Sequence, residues 1–299
     1  MEKVVREPVA AGLFYPSEPE KLNSQIRGCF LSEYGPGKLP GQKVRKKLLG
    51  AIVPHAGYAY SGSAAAWIYK EIVERAAPDT IIILGPSHTG LGMVGSVWLG
   101  SAWSTPLGLA KIDRELGQQI LNKTDLLDRD PKPHIGEHSI EVQLPFLQFV
   151  YKKAMPKVLP IVLSTAPEEG LCKKLGAAIA KAVRESKRKV LILASSDFTH
   201  YGVSYGFLPF FGSAAQVKQK LHDLDFGAIK KIESLDIHGF INYVKETGAT
   251  ICGAMPIATA MAALSALRAK KGTLLKYYTS ADLMGSWASS VSYAGIIFE

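Results

Sequence analysis

The chain has 299 residues, with 35 Lys and Arg against 26 Asp and Glu, a formal net charge of +9, and 47% hydrophobic and 20% charged residues. These values are typical of an ordinary soluble globular protein and exclude disordered, collagen-like and disulfide-stapled chains. No apolar run approaches the roughly 18 to 20 residues that a membrane-spanning helix needs, and the first residues lack a signal-peptide core. We therefore expect a cytoplasmic protein without a membrane segment.

The basic residues are dispersed along the chain, and no nucleic-acid-binding motif accompanies them. Dispersed Lys and Arg are typical of a solvated surface, so we expect no nucleic-acid partner. The three cysteines, Cys29, Cys172 and Cys252, are odd in number and lack C-x-x-C spacing. This pattern indicates neither a disulfide framework nor a zinc knuckle, so each cysteine is interpreted singly.

Short apolar runs alternate with segments of helical spacing along most of the chain. After a helix at 18–30, the composition predicts strands at 48–53, 80–84, 158–163, 190–194, 274–279 and 292–298. It predicts helices between and after them at 63–76, 140–152, 167–184, 213–234, 237–247 and 255–270. This order predicts one α/β domain, 1–299, with a central, mainly parallel or mixed β-sheet between helical layers.

Polar residues that can bind a metal follow three of these strands. His55 follows 48–53, His88 follows 80–84, and Asp197 and His200 follow 190–194, with glycines near each histidine. Sites in open α/β sheets gather beyond the carboxyl ends of the strands, so we expect these residues to meet at one edge. Neutral imidazoles are common ligands of iron, copper and zinc.

A third ligand is needed, and Cys252 is the best candidate because it lies in a glycine-flanked loop just before a helix, where the thiolate is favoured. It can equally be a small buried hydrophobe, as Cys29 and Cys172 are expected to be. Asp197 or His200 are alternative third ligands, or an acid/base pair, and Asp197 can instead cap a helix that begins at residue 198.

The remaining histidines divide into two groups. His134 and His138 lie in a loop-like segment with the candidate ligands, whereas His222 and His238 lie in ordinary helical sequence and are interpreted as surface residues. Residues 136–141 resemble a helix entry with Glu137 or Ser139 near its cap. Glu141 and Gln143 are interpreted as ordinary helix residues, although Glu141 can face the site.

Two familiar enzyme motifs are not supported by the sequence around them. Residues 90–95 match G-x-G-x-x-G but precede a strand-like run rather than a helix, which disfavours a dinucleotide fold. The segment around Ser87, residues 85–90, is one residue too long for the G-x-S-x-G elbow, which disfavours a serine hydrolase built on Ser87.

Six segments together carry a specific family resemblance: residues 6–16, 54–62, 85–88, 137–147, 195–202 and 252–253. On these the sequence resembles the Memo family, also described as the B component of the AmmeMemoRadiSam group, over nearly the whole chain. The family's fold is similar to that of class III extradiol dioxygenases, which are non-haem iron enzymes. The resemblance thus implies the same single α/β domain.

The resemblance also implies a metal pocket formed by His55, His88 and Cys252, lined by Asp197 and His200 with His138 nearby. In the dioxygenases, two histidines and a carboxylate hold the iron. Here a cysteine replaces the carboxylate, and its soft thiolate shifts the preference toward copper or a more oxidisable iron site.

Our leading hypothesis is a protein that binds iron or copper through His55, His88 and Cys252 and performs redox or oxygenase-like chemistry. In it His138, Asp197 and His200 are acid/base or substrate-binding groups. The alternative is a non-catalytic module that binds a protein or peptide in a vestigial pocket, which the +9 charge allows for an anionic partner. A metal-dependent hydrolase is a third reading. The expected partners are a small molecule or peptide and proteins of the AmmeMemoRadiSam group.

Overall fold

Strands and helices alternate along the residues that a computed structural model describes, which are 4–43 and 46–299. The helices are α1 Pro19–Leu31, α2 Tyr58–Arg75, α3 Arg114–Leu121, α4 Lys132–Ile135, α5 Gln143–Tyr151, α6 Glu169–Ser186, α7 Ala214–Glu233, α8 Ile237–Thr247, α9 Ala254–Ala266 and α10 Ser280–Met284. The strands are β1 Val5–Arg6, β2 Gly50–Val53, β3 Thr80–Pro86, β4 Gly95–Val97, β5 Ala102–Thr105, β6 Gly108–Lys111, β7 Leu127–Asp128, β8 Lys157–Leu163, β9 Val190–Ser195, β10 His200–Gly202, β11 Gly272–Thr279 and β12 Ser289–Phe298.

A mixed sheet forms the centre of the described part of the chain. Its strand order is β10-β12-β2-β9-β3-β8-β4-β7, and β11 also pairs with β12. The four middle strands, β2, β9, β3 and β8, run parallel, whereas β12 and β4 run antiparallel to the neighbours β2 and β8. The residues of β2 and β3 are buried throughout, as strands between two helical layers must be.

Two groups of helices pack against this sheet. Helices α1, α2 and α5 contact one another, and α2 contacts β2 and β12. Helices α6 and α9 form a second pair, in which α9 contacts β9 and β3. The predicted α/β class with a mixed sheet between helical layers is thereby confirmed. No helix in the described ranges is long and apolar enough to cross a bilayer.

A smaller sheet lies beside the main one. Its strand order is β1-β5-β6, so among the described strands β6 has a ladder partner on one side only. A single bridge between Ile112 and Val158 joins the end of β6 to the start of β8. Through this connection the N-terminal segment and the β5–β6 hairpin are fixed to the central sheet.

Candidate metal centre

The carboxyl ends of three adjacent parallel strands meet at one edge of the sheet. β9 lies between β2 and β3, and its register places Ser195 beside Val53 and Ala194 beside Leu84. The loops that leave these strands carry His55, His88 and Asp197. The strand-end argument therefore brings these residues to the same edge, as the sequence predicts.

His55, His88 and Cys252 form a compact cluster, called here the His/His/Cys cluster. One ligand atom from each residue lies within 4.8 Å of the other two. The Sγ of Cys252 lies 3.1 Å from the Nε2 of His55, and the ring centroids of His55 and His88 are 5.2 Å apart. Two imidazoles and one thiol thus face a common point.

The hydrogen bonds of Ser195 fix the tautomer of His55. The Ser195 hydroxyl donates to the carbonyl oxygen of Ser139 at 2.6 Å and accepts from the side-chain amide of Gln143 at 2.8 Å. Its only proton is therefore used, and it can only accept from the Nδ1 of His55, 2.9 Å away. Nδ1 of His55 thus carries the proton, and the lone pair of Nε2 points toward Cys252.

The buried side chain of Glu137 orients His88 in the same way. Its Oε1 lies 2.9 Å from the Nδ1 of His88, and its Oε2 accepts from the backbone N–H of His88 at 2.5 Å. Burial alone would raise the pKa of Glu137, but its hydrogen bond and charge interaction with His88 and the N–H groups of Ser139 and His88 lower it to about 2. An ionised carboxylate accepts the Nδ1 proton and leaves Nε2 of His88 free.

A second possible metal group consists of His88, Glu137 and His138, since one ligand atom from each of these residues also lies within 4.8 Å of the other two. The oxygens of Glu137 are already occupied, because Oε1 also accepts from the N–H of Ser139 at 2.8 Å and lies 3.4 Å from Nδ1 of His138. We therefore interpret Glu137 as the group that orients His88. The sequence suggested only a helix cap for Glu137, and this interpretation was wrong, since α5 begins later, at Gln143.

The Cys252 thiol is neutral in this environment. Burial, together with the nearby Asp197 carboxylate, raises its pKa well above the usual value. The expectation that the N-terminus of α9 favours the thiolate is therefore wrong for the metal-free protein, because desolvation outweighs the helix terminus. Burial likewise lowers the pKa of His55 well below its usual value, so His55 is a neutral imidazole. Cys29 and Cys172 are buried and do not belong to the cluster, as expected.

Asp197 holds the backbone of the His55 loop. Its Oδ1 accepts from the N–H of His55 at 2.8 Å and of Ala56 at 3.3 Å, and burial raises its pKa. The alternative that Asp197 caps a helix is wrong, because the residues that follow it lead into strand β10, which pairs with β12.

A cleft of about 500 Å³, called here the site cleft, opens beside the cluster. His138 lines it between the ring of Phe14, 4.2 Å away, and the ring of His88, 4.6 Å away. His200 also lines the cleft, and its Nδ1 donates to the carbonyl oxygen of Thr250 at 3.0 Å. His138 and His200 thus border the cleft as the resemblance implies, outside the His/His/Cys cluster.

Glu141 anchors the N-terminal segment that carries Phe14. Its buried carboxylate pairs with Arg6 at 2.5 Å and accepts from the Tyr15 hydroxyl at 2.6 Å and the backbone N–H of Ala10 at 2.8 Å. Glu141 and Gln143 are therefore not ordinary helix residues. The run 140–147 is otherwise apolar, so the charged and amide side chains within it could have indicated that these two residues form specific contacts.

His134 does not join the site, although the sequence grouped it with His138. It is fully buried, with its ring 5.7 Å from Trp98 and 6.0 Å from Trp103. The turn of α4 directs it away from the cleft, which loop composition cannot reveal. His222 and His238 lie outside the cleft, in α7 and α8, as expected.

The fold and the cluster define a class: an α/β protein with two oriented imidazoles and a thiol at the carboxyl edge of its sheet. Comparison with known proteins identifies the family. A family model described as Memo-like protein matches residues 6–297. The chain is 38% identical to a MEMO1 family protein of Methanopyrus kandleri over 295 residues, covering 98% of this chain and 99% of that protein. It is 39% identical to a MEMO1 family protein of Sulfurisphaera tokodaii over 299 residues, covering 99% of each.

The chain therefore belongs to the Memo family, as the sequence motifs predict. Among solved structures, an uncharacterized protein from Escherichia coli K12 superposes with a TM-score of 0.55 at 13% identity. The alignment covers 85% of this chain and 100% of that one. This likeness concerns the fold alone.

Proposed function

We propose that this Memo-family protein binds one iron or copper ion through His55, His88 and Cys252 and uses it for redox or oxygenase-like chemistry on a small molecule. The observation that carries the proposal is the pair of fixed tautomers. Ser195 and Glu137 each hold the Nδ1 proton of a histidine, so both Nε2 lone pairs are available. Such partners of ligating histidines are the usual signature of a built metal site.

The donor set agrees with this choice of metals. Two imidazoles with one thiolate suit iron and copper, whereas a hard cation such as magnesium prefers oxygen ligands. A bound iron or copper ion would supply one-electron redox chemistry at the cleft. Three protein ligands leave coordination positions for a substrate.

The other residues of the cleft contribute binding and proton transfer in this proposal. Because the Nδ1 of His200 donates to Thr250, Nε2 is the ring nitrogen that faces a substrate and exchanges a proton with it. His138 is held flat between Phe14 and His88 and forms a wall. Burial lowers the pKa of His138 to about 4, so it is a neutral hydrogen-bonding group near pH 7. Asp197 positions His55 through the backbone.

A reducing compartment suits this site, because Cys252 has to be a thiol or thiolate to bind the ion. Reducing conditions are those of the cytoplasm, which we propose as the location. The other two cysteines are also free thiols.

The test is the metal content of protein that is purified without oxygen and without an affinity tag, measured by plasma mass spectrometry. We expect near-stoichiometric iron or copper in the wild type and its loss in the His55→Ala/Cys252→Ala variant. The matched control, His222→Ala/Cys172→Ala, removes one histidine and one cysteine outside the cluster and should keep the metal.

Equal metal content in all three proteins would contradict the proposed ligands. Absence of metal from the wild type even after anaerobic reloading would contradict metal binding and favour the alternative, a pocket that binds a peptide without turnover. That alternative would then be examined by titrating an anionic peptide into wild type and His88→Ala.

A further inference from the structure

A second large concave surface lies at the other end of the central sheet. It has a volume of about 820 Å³ and is lined by the start of β8, the end of α5, the β5–β6 hairpin and the segment after α1. β8 begins there at Lys157 and runs beside β3 to Leu163, which pairs with Pro86 near His88. Seven residues of strand span about 20 Å. This surface, called here the basic groove, is therefore separate from the site cleft.

The floor of the basic groove is apolar. Five hydrophobic side chains line it, and each is half-buried and packed against the main core: Leu39, Leu107, Phe149, Val150 and Met155. Leu109, which is 58% exposed, adds an apolar group at the edge. A floor of this kind offers burial to apolar side chains of a partner.

The rim of the basic groove is cationic. Among the described residues, five exposed basic side chains and no acidic one line it: Arg27, Lys111, Lys152, Lys153 and Lys157. Within the described residues, no salt bridge or side-chain hydrogen bond engages any of the five, whereas Lys70 and Lys173 pair with glutamates on their own helices. Unpaired cations around an apolar floor attract an anionic partner that also carries apolar groups.

Two backbone features favour an extended partner. Strand β6 lines the groove, and within the described sheet β5 is its one ladder neighbour, because the bridge from Ile112 to Val158 lies just beyond its last residue. An edge strand of this kind is a template for an added strand. Lys152 is held at φ 51°, ψ −127°, a conformation that residues with a side chain rarely adopt. Strain of this kind is concentrated at functional positions.

We propose that the basic groove binds an extended acidic segment of another protein, with apolar side chains on the floor and carboxylates on the rim. A nucleic acid fits the surface less well, since single strands bind by stacking on exposed aromatic rings. In the part of the chain that the structure describes, Phe149 is the single aromatic residue of the groove's lining, and its ring is stacked on Phe30 at 5.8 Å. The inference is independent of the metal site.

The test uses fluorescence anisotropy with a fluorescein-labelled peptide of about twelve residues in which Glu and Asp alternate with Leu and Val. We expect saturable binding that weakens with salt. The Lys111→Glu/Lys153→Glu/Lys157→Glu variant should bind at least about tenfold more weakly. The matched control, Lys174→Glu/Lys230→Glu/Lys245→Glu, reverses three exposed lysines elsewhere and should bind like the wild type.

A Lys152→Gly variant separates binding from folding. Glycine removes both the charge and the strain, so the thermal midpoint should rise while peptide affinity falls. Equal weakening in the control triple variant, or no saturable binding to wild type, would overturn the proposal. Equally tight binding of a Glu/Ser peptide would refute the role of the floor, and tight binding of a single-stranded oligonucleotide without binding of the peptide would assign the groove to nucleic acid.

Discussion

Glu137 and Glu141 lie four residues apart, and both are fully buried, yet they act on different parts of the molecule. Glu137 directs both oxygens at His88 and its neighbours. Glu141 directs its oxygens at Arg6 and the N-terminal segment. A buried carboxylate next to an imidazole orients a possible ligand, whereas one next to a guanidinium holds two segments together.

This difference has an energetic consequence. Glu141 forms a buried ion pair with Arg6, whose two side chains are 0% and 2% exposed, so removal of one partner leaves an uncompensated charge. Glu137 faces His88 and His138 and orients the ring of His88 by hydrogen bonding, so its replacement should affect metal binding more than folding. The two residues can therefore be separated by experiment.

The largest effect is expected for Arg6→Ala, which leaves the buried Glu141 carboxylate without its ion-pair partner. We expect the free energy of unfolding to fall by about 3–5 kcal/mol, measured by urea denaturation of the metal-free protein. The control Lys21→Ala breaks the exposed Lys21–Glu18 pair and should cost at most about 1 kcal/mol. Similar losses of unfolding free energy in both variants would show that the buried Arg6–Glu141 pair contributes no more stability than the exposed pair.

Glu137→Gln tests the other half of the comparison. The amide can accept only through one oxygen, so its NH₂ group faces an N–H donor of His88 or Ser139 and the His88 ring loses its fixed orientation. We expect metal affinity to fall by about 10- to 100-fold, measured by competition with a chelator, with a smaller change in unfolding free energy. An unchanged affinity together with a large loss of stability would make Glu137 a structural residue like Glu141.

A third buried carboxylate, that of Asp113, contributes to stability in a way that depends on pH. It accepts from Thr80 at 2.5 Å and from Arg188 at 2.5 and 2.6 Å and caps α3. Burial alone would raise the pKa of Asp113, but hydrogen bonds from Thr80, Leu116 and Arg188 outweigh it and hold the pKa below the ordinary 3.8. Its contribution to stability is therefore full above pH 3.8 and is lost as the pH falls through the lowered pKa.

Asp113→Asn keeps the helix cap but loses the charge. We expect it to cost about 1.5 kcal/mol at pH 7 and progressively less below pH 3.8, measured by denaturation of both proteins across this range. A difference that grows on acidification would show that the Asp113 pKa is raised rather than lowered.

The sequence predicts the framework well, because its evidence is local. Apolar runs mark the strands, helix α8 has the predicted bounds, and the strand-end rule brings His55, His88 and Asp197 together. The polar partners could not be predicted, since they depend on distant contacts: Glu137 is 49 residues from His88, and Arg6 is 135 residues from Glu141. His134 and His138 have similar surroundings in sequence and opposite directions in the fold, because α4 turns His134 toward Trp98 and Trp103.

The central claim is that one ion is held by His55, His88 and Cys252, and X-ray absorption spectroscopy of the anaerobically reloaded protein tests it most directly. We expect an iron or copper coordination shell with one sulfur and two imidazole nitrogens in the wild type, and we expect the sulfur contribution to disappear in Cys252→Ser. A shell of oxygen and nitrogen alone in the wild type, or a sulfur contribution that persists in Cys252→Ser, would contradict it.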